Sequence, residues 1–247
     1  MLQRDAAPGI HRVEDAYVNW YLVEDDGARA ITIVDAGLPR SWRTLQSALA
    51  ELGRTTADVE AIVLTHAHAD HVGFAERARR ELGVGVWAHE RERSLIRHPL
   101  SYEKEHSPLR HLNPHTLRLA AAMGRAGALR TQGVEEMRAF AEEAELDLPG
   151  RPRPVFTPGH THGHTAFHFP DRGAVIVGDA LATIEPYSGR HGAYLVSGAA
   201  NADSAEALAS LQRIADTAAD TVLVGHGPAW TRGAQAAVDE AREHGPS

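Results

Sequence analysis

The stretch Thr65-His66-Ala67-His68-Ala69-Asp70-His71 decides the fold of this 247-residue chain. Four potential metal ligands lie within six residues, directly after the apolar run at 61–65, which we predict to be a buried strand. Alternating residues of an extended segment point the same way, so His66 and His68 can hold one ion while Asp70 and His71 turn towards a second. A solvated polar loop is the alternative interpretation, and so dense a ligand set at a strand end disfavours it.

A second ligand-rich segment, Thr157-Pro158-Gly159-His160-Thr161-His162-Gly163-His164, follows a predicted strand at 155–157. Its glycines allow the backbone to bend closely around a metal, and His160 can supply a missing ligand. We expect His164 to support the ligands from behind and His162 to lie at the surface.

Asp179 and His226 also follow predicted strands, at 174–177 and 221–224. Each alone is a weak signal, because an Asp after a strand is more often a turn former and a single His is more often structural. The recurrence of such residues at four strand ends is what indicates one shared site.

Strands and helices alternate on both sides of a segment with a different pattern, at about 90–150. We predict strands at 17–23, 30–34, 61–65, 84–88, 155–157, 166–169, 174–177 and 221–224, and helices from Ser41 to Gly53, from 72 to 82 and from 203 to about 219. The segment at 90–150 is rich in Ala, Arg and Glu and is interrupted by prolines, and we predict it to be a helical insertion in a single domain spanning 1–247.

Composition narrows the class of protein. Lys and Arg total 25 against 33 Asp and Glu, and the net charge of -8 would repel nucleic acid. The chain has no cysteine, so a metal must be held by imidazole and carboxylate. Its start has no apolar run of signal-peptide length and no stretch is long enough to span a bilayer, so we expect a cytoplasmic protein without a membrane partner.

In these motifs the chain resembles the metallo-β-lactamase superfamily, from Val34 to His226. The resemblance rests on Asp35 in Val34-Asp35-Ala36-Gly37, the run at 66–71, His160, Asp179 and His226, all in the family's order. It implies a four-layer αβ/βα sandwich, an α/β fold of two mixed sheets with outer helices. It also implies one metal on His66, His68 and His160, a second on Asp70, His71 and His226, Asp179 bridging both, and a buried Asp35 that orients the ligands.

Such a ligand set implies a dinuclear hydrolase. Two cations roughly 3.5 to 4 Å apart can share a water and hold it as a bridging hydroxide at neutral pH. Asp70 lies near both the water and the leaving group in this scheme, and we predict that it is a catalytic proton shuttle as well as a ligand. Family resemblance makes Zn²⁺ the expected metal, two per chain, although iron and manganese suit the same ligands.

Differences between this chain and particular branches of the superfamily narrow the range of expected substrates. The chain has no Cys ligand, and only 21 residues (247 minus 226) follow His226, so we expect neither a main-group β-lactamase nor the C-terminal glutathione-binding domain of glyoxalase II. Small bacterial hydrolases related to quorum-quenching lactonases are the nearest match. Their substrate-contacting Tyr is replaced by Ala182, and Tyr187 or Tyr194 are the candidates to replace it, unless they only pack the loop.

The leading hypothesis is therefore hydrolysis of a small ester, thioester or lactone. The alternatives are an iron-dependent oxidoreductase similar to a persulfide dioxygenase, with one iron, and a non-catalytic binding protein. The insertion at about 90–150 is predicted to act as a lid that selects the small-molecule substrate. Its candidate contacts are Tyr102, His106, His111, His115 and Met123. For the histidines of the segment, His98, His106, His111 and His115, the alternative interpretation, which we favour for each, is a solvated helix residue. The oligomeric state is left open, a homodimer included.

Overall fold

The computed structural model describes residues 1–140 and 144–245. Seven of the described strands form the first sheet, and they pair in chain order. They are β1 (Leu2–Ala7), β2 (Ile10–Asp15), β3 (Val18–Glu24), β4 (Ile31–Val34), β5 (Val59–Val63), β6 (Gly85–His89) and β7 (Arg138–Phe140). The pairs from β1 to β4 are antiparallel and those from β4 to β7 are parallel, so the sheet is mixed.

The second sheet and its hairpin follow in the C-terminal half. The strands are β8 (Arg153–Phe156), β9 (Thr165–Phe169), β10 (Ala174–Gly178), β11 (Ala182–Ile184), β12 (His191–Tyr194) and β13 (Thr221–Val224). In the sheet, the order is β13-β10-β9-β8, with β13 parallel to β10 and the other pairs antiparallel. Strands β11 and β12 form a separate hairpin, which we call the β11–β12 hairpin.

Six α-helices occur in the described ranges. They are α1 (Ser41–Glu51), α2 (Ala69–Val72), α3 (Ala75–Leu82), α4 (Pro114–Ala126), α5 (Ser204–Ala215) and α6 (Ala234–His244). None of the helices within 1–140 and 144–245 is long and apolar enough to cross a membrane.

Alternation of side chains along β3 shows how the layers are stacked. Trp20 and Leu22 pack in a core with the buried residues of α1 and α3, whereas Tyr21 and Val23 pack in a second core with Phe167 of the other sheet. Because successive residues of a strand point to opposite faces, the first sheet is covered by helices on one side and by the second sheet on the other.

The second sheet shows the same division. Val222 and Val224 of β13 pack with apolar residues of α5 and α6, whereas Leu223 between them faces the core shared by the two sheets. The layers are therefore helix, sheet, sheet and helix, which confirms the predicted four-layer sandwich of two mixed sheets with outer helices.

Several element boundaries differ from the prediction. The helix expected at 72–82 is split into α2 and α3 at Gly73, where an added Cβ would lie 2.1 Å from the carbonyl oxygen of Gly37. The chain must pass so close to the loop after β4 that only glycine fits. The Asp203 side chain caps α5 by accepting the Glu206 N–H at 2.8 Å, and the helix predicted to run to about 219 ends at Ala215.

The segment at 90–150 is less helical than its composition suggests. Its described residues contain the single α-helix α4, several short 3₁₀ turns and strand β7, which extends the first sheet beside β6. Glu105 fastens the segment to the C-terminal half, because its carboxylate accepts hydrogen bonds from Ser204 N–H at 2.7 Å and Ser204 Oγ–H at 2.8 Å. Residues 141–143 lie outside the described residues.

Candidate metal centre

The predicted ligands meet at one edge of the sandwich, where β5, β8, β10 and β13 end. Among the described residues their side chains form three overlapping groups, and within each group the ligand atoms lie within 4.8 Å of one another; one of the three is His66, His71 and Asp179. We call His66, His68 and His160 the first cluster, and Asp70, His71 and His226 the second cluster. The pairing of strands thus brings together residues as distant along the sequence as Asp70 and His226, 156 positions apart (226 minus 70).

Asp179 lies between the two clusters. Its Oδ2 is 3.6 Å from Nε2 of His160 in the first cluster and 3.2 Å from Nε2 of His226 in the second. Its Oδ1 is 3.5 Å from Nε2 of His71. One carboxylate therefore reaches both clusters, as a bridging ligand would.

In the first cluster, the rings of His66 and His160 each form a hydrogen bond through Nδ1, which leaves Nε2 free to face the metal centre. Nδ1 of His66 lies 3.0 Å from Thr65 Oγ1, and Nδ1 of His160 lies 2.7 Å from Asn201 Oδ1. Since Asn201 Oδ1 can only accept, Nδ1 of His160 carries the proton and its Nε2 offers a lone pair. That Nε2 is 3.0 Å from Nδ1 of His68, an approach suited to two nitrogens that share a cation.

The second cluster is oriented in the same way. Nδ1 of His71 lies 2.9 Å from Asp35 Oδ2, and Nδ1 of His226 donates to the Tyr17 carbonyl at 2.8 Å. Tyr17 adopts φ +71°, a left-handed conformation that is costly for a residue other than glycine. Strain of this kind concentrates at functional sites, and here it turns the Tyr17 carbonyl towards His226.

Several buried atoms at the centre have no hydrogen-bond partner among the described residues. They are Nε2 of His66 and of His71 and Oδ1 of Asp179, whereas on His68 the nitrogen that faces His160 is Nδ1. A buried polar atom without a partner is costly, and so many of them converging on one point is the arrangement that metal binding would satisfy. The residues present therefore fit a pair of cations held by imidazole and carboxylate.

The charges at the site agree with this fit. Burial holds the pKa of His66 and of His68 well below its ordinary value, so these rings are neutral, as metal ligands must be. Burial also acts against the charged form of His71, but the carboxylates of Asp179, Asp35 and Asp70 outweigh it and raise the pKa of His71 to about 10. The same three carboxylates thus create a negative potential around the second cluster, which favours a bound cation.

Asp35 is buried behind the ligands, as the resemblance implied. Its Oδ1 accepts Thr65 N–H at 2.8 Å and its Oδ2 accepts Thr65 Oγ–H at 2.8 Å, in addition to the contact with His71. Asp35 also adopts φ +62°. The carboxylate therefore orients both ends of the run that carries four of the predicted ligands.

Glu92 is a supporting residue that the sequence did not reveal. Only 1% of its surface is exposed, and its carboxylate accepts Ala67 N–H and Gly163 N–H, each at 2.8 Å. Burial raises the pKa of this carboxyl. Ala67 lies between the ligands of the first motif and Gly163 lies in the loop of His160, so Glu92 joins the two loops that form the first cluster.

His162 and His164 lie where the sequence predicted. His162 is exposed and pairs with Glu103 at 3.1 Å. His164 is fully buried behind His66, with ring centroids 5.2 Å apart, and burial lowers its pKa to about 3.

The three tyrosines that the sequence offered as substrate contacts lie in different surroundings. Tyr102 packs over His68 with ring centroids 4.5 Å apart, whereas Tyr194 stacks on His244 of α6 at 4.0 Å. Tyr187 contacts His111 at 5.2 Å. Of these three candidates, Tyr102 is thus the one whose ring packs on a predicted ligand, whereas Tyr194 packs against α6 and against Arg190 of its own loop.

The other candidate substrate contacts of the segment at 90–150 pack against one another or against neighbouring elements. His106 and His111 stack on each other at 5.3 Å, His115 meets Tyr17 edge to face at 6.3 Å, and Met123 packs against a small core formed by Val18, Leu38 and Ala126. Their role in substrate selection stays a prediction.

Comparison with known proteins places this site in a family. The sequence profile of the Metallo-beta-lactamase superfamily matches residues 13–226. Among curated relatives, the probable metallo-hydrolase YflN of Bacillus subtilis is 26% identical over 73% of this chain and 67% of its own length. A hydroxyacylglutathione hydrolase of Gloeobacter violaceus is 31% identical over 70% of the chain, which spans about half (52%) of that protein.

Solved structures of the same superfamily superpose on this chain. A metallo-beta-lactamase family protein of Thermus thermophilus, TTHA1429, superposes with a TM-score of 0.69 at 28% identity, covering 96% of this chain and 79% of that one. TTHA1623, solved in a di-iron-bound form, gives 0.63 at 26% identity over 93% and 96%. The chain belongs to the metallo-beta-lactamase superfamily and is a metal-dependent hydrolase of that superfamily.

Gly225 offers a direct test of the centre. An added Cβ would lie 1.9 Å from Asp179 Oδ1 and 3.0 Å from a ring carbon of His71, so Gly225→Ala must displace the carboxylate between the clusters. We expect metal affinity to fall by about tenfold or more, measured by chelator competition. Gly124→Ala, on an exposed face of α4 with nothing within 4 Å, is the control and should bind metal normally. Equal affinity in both variants would contradict this placement of Asp179.

Glu92→Gln tests the link between the two loops. Glu92 accepts the two backbone N–H groups with different oxygens, and Gln replaces one of these oxygens by an NH2 group that only donates, so one N–H would be left buried without an acceptor. We expect the first cluster to bind metal about 10- to 100-fold more weakly, with an altered visible spectrum of the Co²⁺ form. Glu90→Gln, whose side chain is 58% exposed, should keep the wild-type affinity and spectrum. A wild-type Co²⁺ spectrum in Glu92→Gln would show that Glu92 does not position these ligands.

Proposed function

We propose that this protein is a dinuclear zinc-dependent hydrolase that acts on a small ester, thioester or lactone. The observation that carries the proposal is the convergence of the two clusters on one carboxylate, Asp179. Hydrogen bonds at Nδ1 hold the rings of His66, His71, His160 and His226 in place around it. A hydroxyacylglutathione hydrolase among the relatives supports an acyl substrate.

The chemistry divides between the metals and the chain. When bound, two divalent cations supply a nucleophile from water at neutral pH and polarise the carbonyl of the substrate. The chain fixes the geometry: Asp35, Asn201 and the Tyr17 carbonyl hold the rings of His71, His160 and His226 in the orientation that metal binding requires. The chain has no cysteine, and this scheme needs no side-chain nucleophile.

Asp70 is suited to move a proton. Its side chain is 14% exposed, against 0% for His71 and 7% for His226, the other members of the second cluster. Its Oδ2 lies 3.7 Å from Nε2 of His226 and 3.9 Å from Nε2 of His71. A carboxylate at the open edge of the site can take a proton from the attacking water and pass it to the leaving group.

Metal identity is the open choice within this proposal. Zinc follows from the family resemblance, whereas the di-iron form of TTHA1623 supports iron in a related centre. The second cluster contains all three of its predicted ligands, which supports two metals per chain over the single iron of a persulfide dioxygenase-like enzyme. Elemental analysis of the purified and reconstituted protein distinguishes these cases.

A substrate panel tests the proposed function. We expect the zinc-loaded protein to hydrolyse members of a lactone, thioester or ester series, and phosphodiesters and β-lactams at least tenfold more slowly. His68→Ala should lose a ligand and reduce turnover by about 100-fold or more, whereas the exposed His191→Ala should not. Preferred turnover of a phosphodiester or a β-lactam, or equal activity in the two variants, would overturn the proposal.

The role of Asp70 has its own test. Asp70→Asn keeps the size of the side chain but removes the basic oxygen, so we expect turnover to fall by about 100-fold, within the range of general acid–base contributions. Metal content is measured on the same samples, so that loss of metal and loss of proton transfer are told apart. Full metal occupancy with full turnover would refute the shuttle.

A further inference from the structure

Within the part of the chain that the structure describes, a cavity borders each of the two clusters. The larger, about 240 Å³, reaches the first cluster at His68 and His160. Its lining is mixed: polar side chains, among them Arg91, His98, Glu103 and His162, lie beside Leu95 and Tyr102. We call it the His68 cavity. The smaller, about 140 Å³, reaches the second cluster at His226, and we call it the His226 cavity.

The walls of the His226 cavity are mainly apolar. It is lined by Leu119 of α4, by Ile184 and Pro186 of the β11–β12 hairpin, by Pro228 and by Tyr17. The two cavities therefore offer different chemical environments on the two sides of the metal centre.

The charged groups in the His226 cavity are already paired. Arg12 donates to the Gly227 carbonyl at 2.7 Å and to Asn19 Oδ1 at 3.2 Å, and its other terminal nitrogen pairs with Glu14 at 3.2 Å. These bonds support the loop of His226, so Arg12 is not available to bind an anionic substrate group. What the cavity offers a ligand is its apolar wall.

Contacts between α4 and the β11–β12 hairpin fix the relative position of these two elements, which both line the cavity. Asn113, which caps α4, donates to the Tyr187 carbonyl of the β11–β12 hairpin at 2.7 Å. His115 packs so closely on that hairpin that a Cβ at Gly189 would lie 2.7 Å from its Nδ1. A ligand entering the cavity thus meets a preformed surface and orders little of the chain.

We propose that the His226 cavity is the subsite for a short unbranched acyl chain of the substrate, with the more polar leaving group in the His68 cavity. The inference rests on the proposed hydrolase function and deepens it. A volume of 140 Å³ equals on the order of five water-sized groups, which limits the chain to about four to six carbons. Each buried methylene should improve kcat/KM about fourfold until the cavity is full.

The test measures kcat/KM of the metal-loaded protein on one aryl alcohol esterified with acyl chains from acetyl to octanoyl. We expect a rise to an optimum at four to six carbons and a fall beyond it. Leu119→Ala enlarges the cavity and should move the optimum to longer chains, whereas Ile184→Phe reduces it and should move the optimum to shorter ones. Ser101→Phe, in the His68 cavity, is the matched control and should leave the optimum in place.

Binding of the free carboxylates, acetate to octanoate, to the same metal-loaded proteins by calorimetry separates the subsite from the hydrolase function. We expect the affinity to depend on chain length, with the best-bound length shifting in opposite directions in Leu119→Ala and Ile184→Phe. That result supports the subsite even if no ester is hydrolysed. In that case the proposed function is wrong and the subsite stands. Ester hydrolysis with no dependence on chain length overturns the subsite and leaves the hydrolase standing. An optimum that moves equally in Ser101→Phe also overturns the subsite.

Discussion

The buried carboxylate of Asp35 is the constraint on which the rest of the site depends. It accepts Thr65 N–H and Thr65 Oγ–H and contacts Nδ1 of His71, so one side chain holds the start and the end of the metal-binding run. A charge buried to this degree is stable only when it is fully hydrogen bonded, and the run supplies the donors. The left-handed backbone of Asp35 is the local cost of placing the carboxylate there.

Other predicted ligands are likewise held by residues behind them, in both halves of the sandwich. Asn201 orients His160, the Tyr17 carbonyl orients His226, and Glu92 joins the loops of His68 and His160. Each support comes from an element other than the one that carries its ligand. Folding of both sheets is therefore required before either cluster is assembled, and metal binding in turn relieves the unpaired nitrogens at the centre.

In the proposed function, substrate selection depends on segments outside the two sheets. The segment at 90–150 contributes Tyr102 beside His68 and Leu119 beside the second cluster, and the β11–β12 hairpin completes the wall there. A common metal centre can thus serve different substrates when these surface segments change, because loops on a rigid scaffold alter specificity at little cost to the core.

The sequence by itself determined the fold and the candidate ligands, because both depend on local patterns. Apolar strands followed at once by His or Asp, as at His66 and Asp179, are visible in the order of residues, and the four-layer sandwich follows from the family that this order resembles. Only the tertiary structure revealed the supports and the cavities. Glu92 lies in the charged run Glu90-Arg91-Glu92, which looks solvated, and its burial arises from packing between two distant loops. Likewise, the environment of Leu119 is set by the hairpin that folds over α4, and contacts between residues so far apart along the chain leave no local periodicity to read.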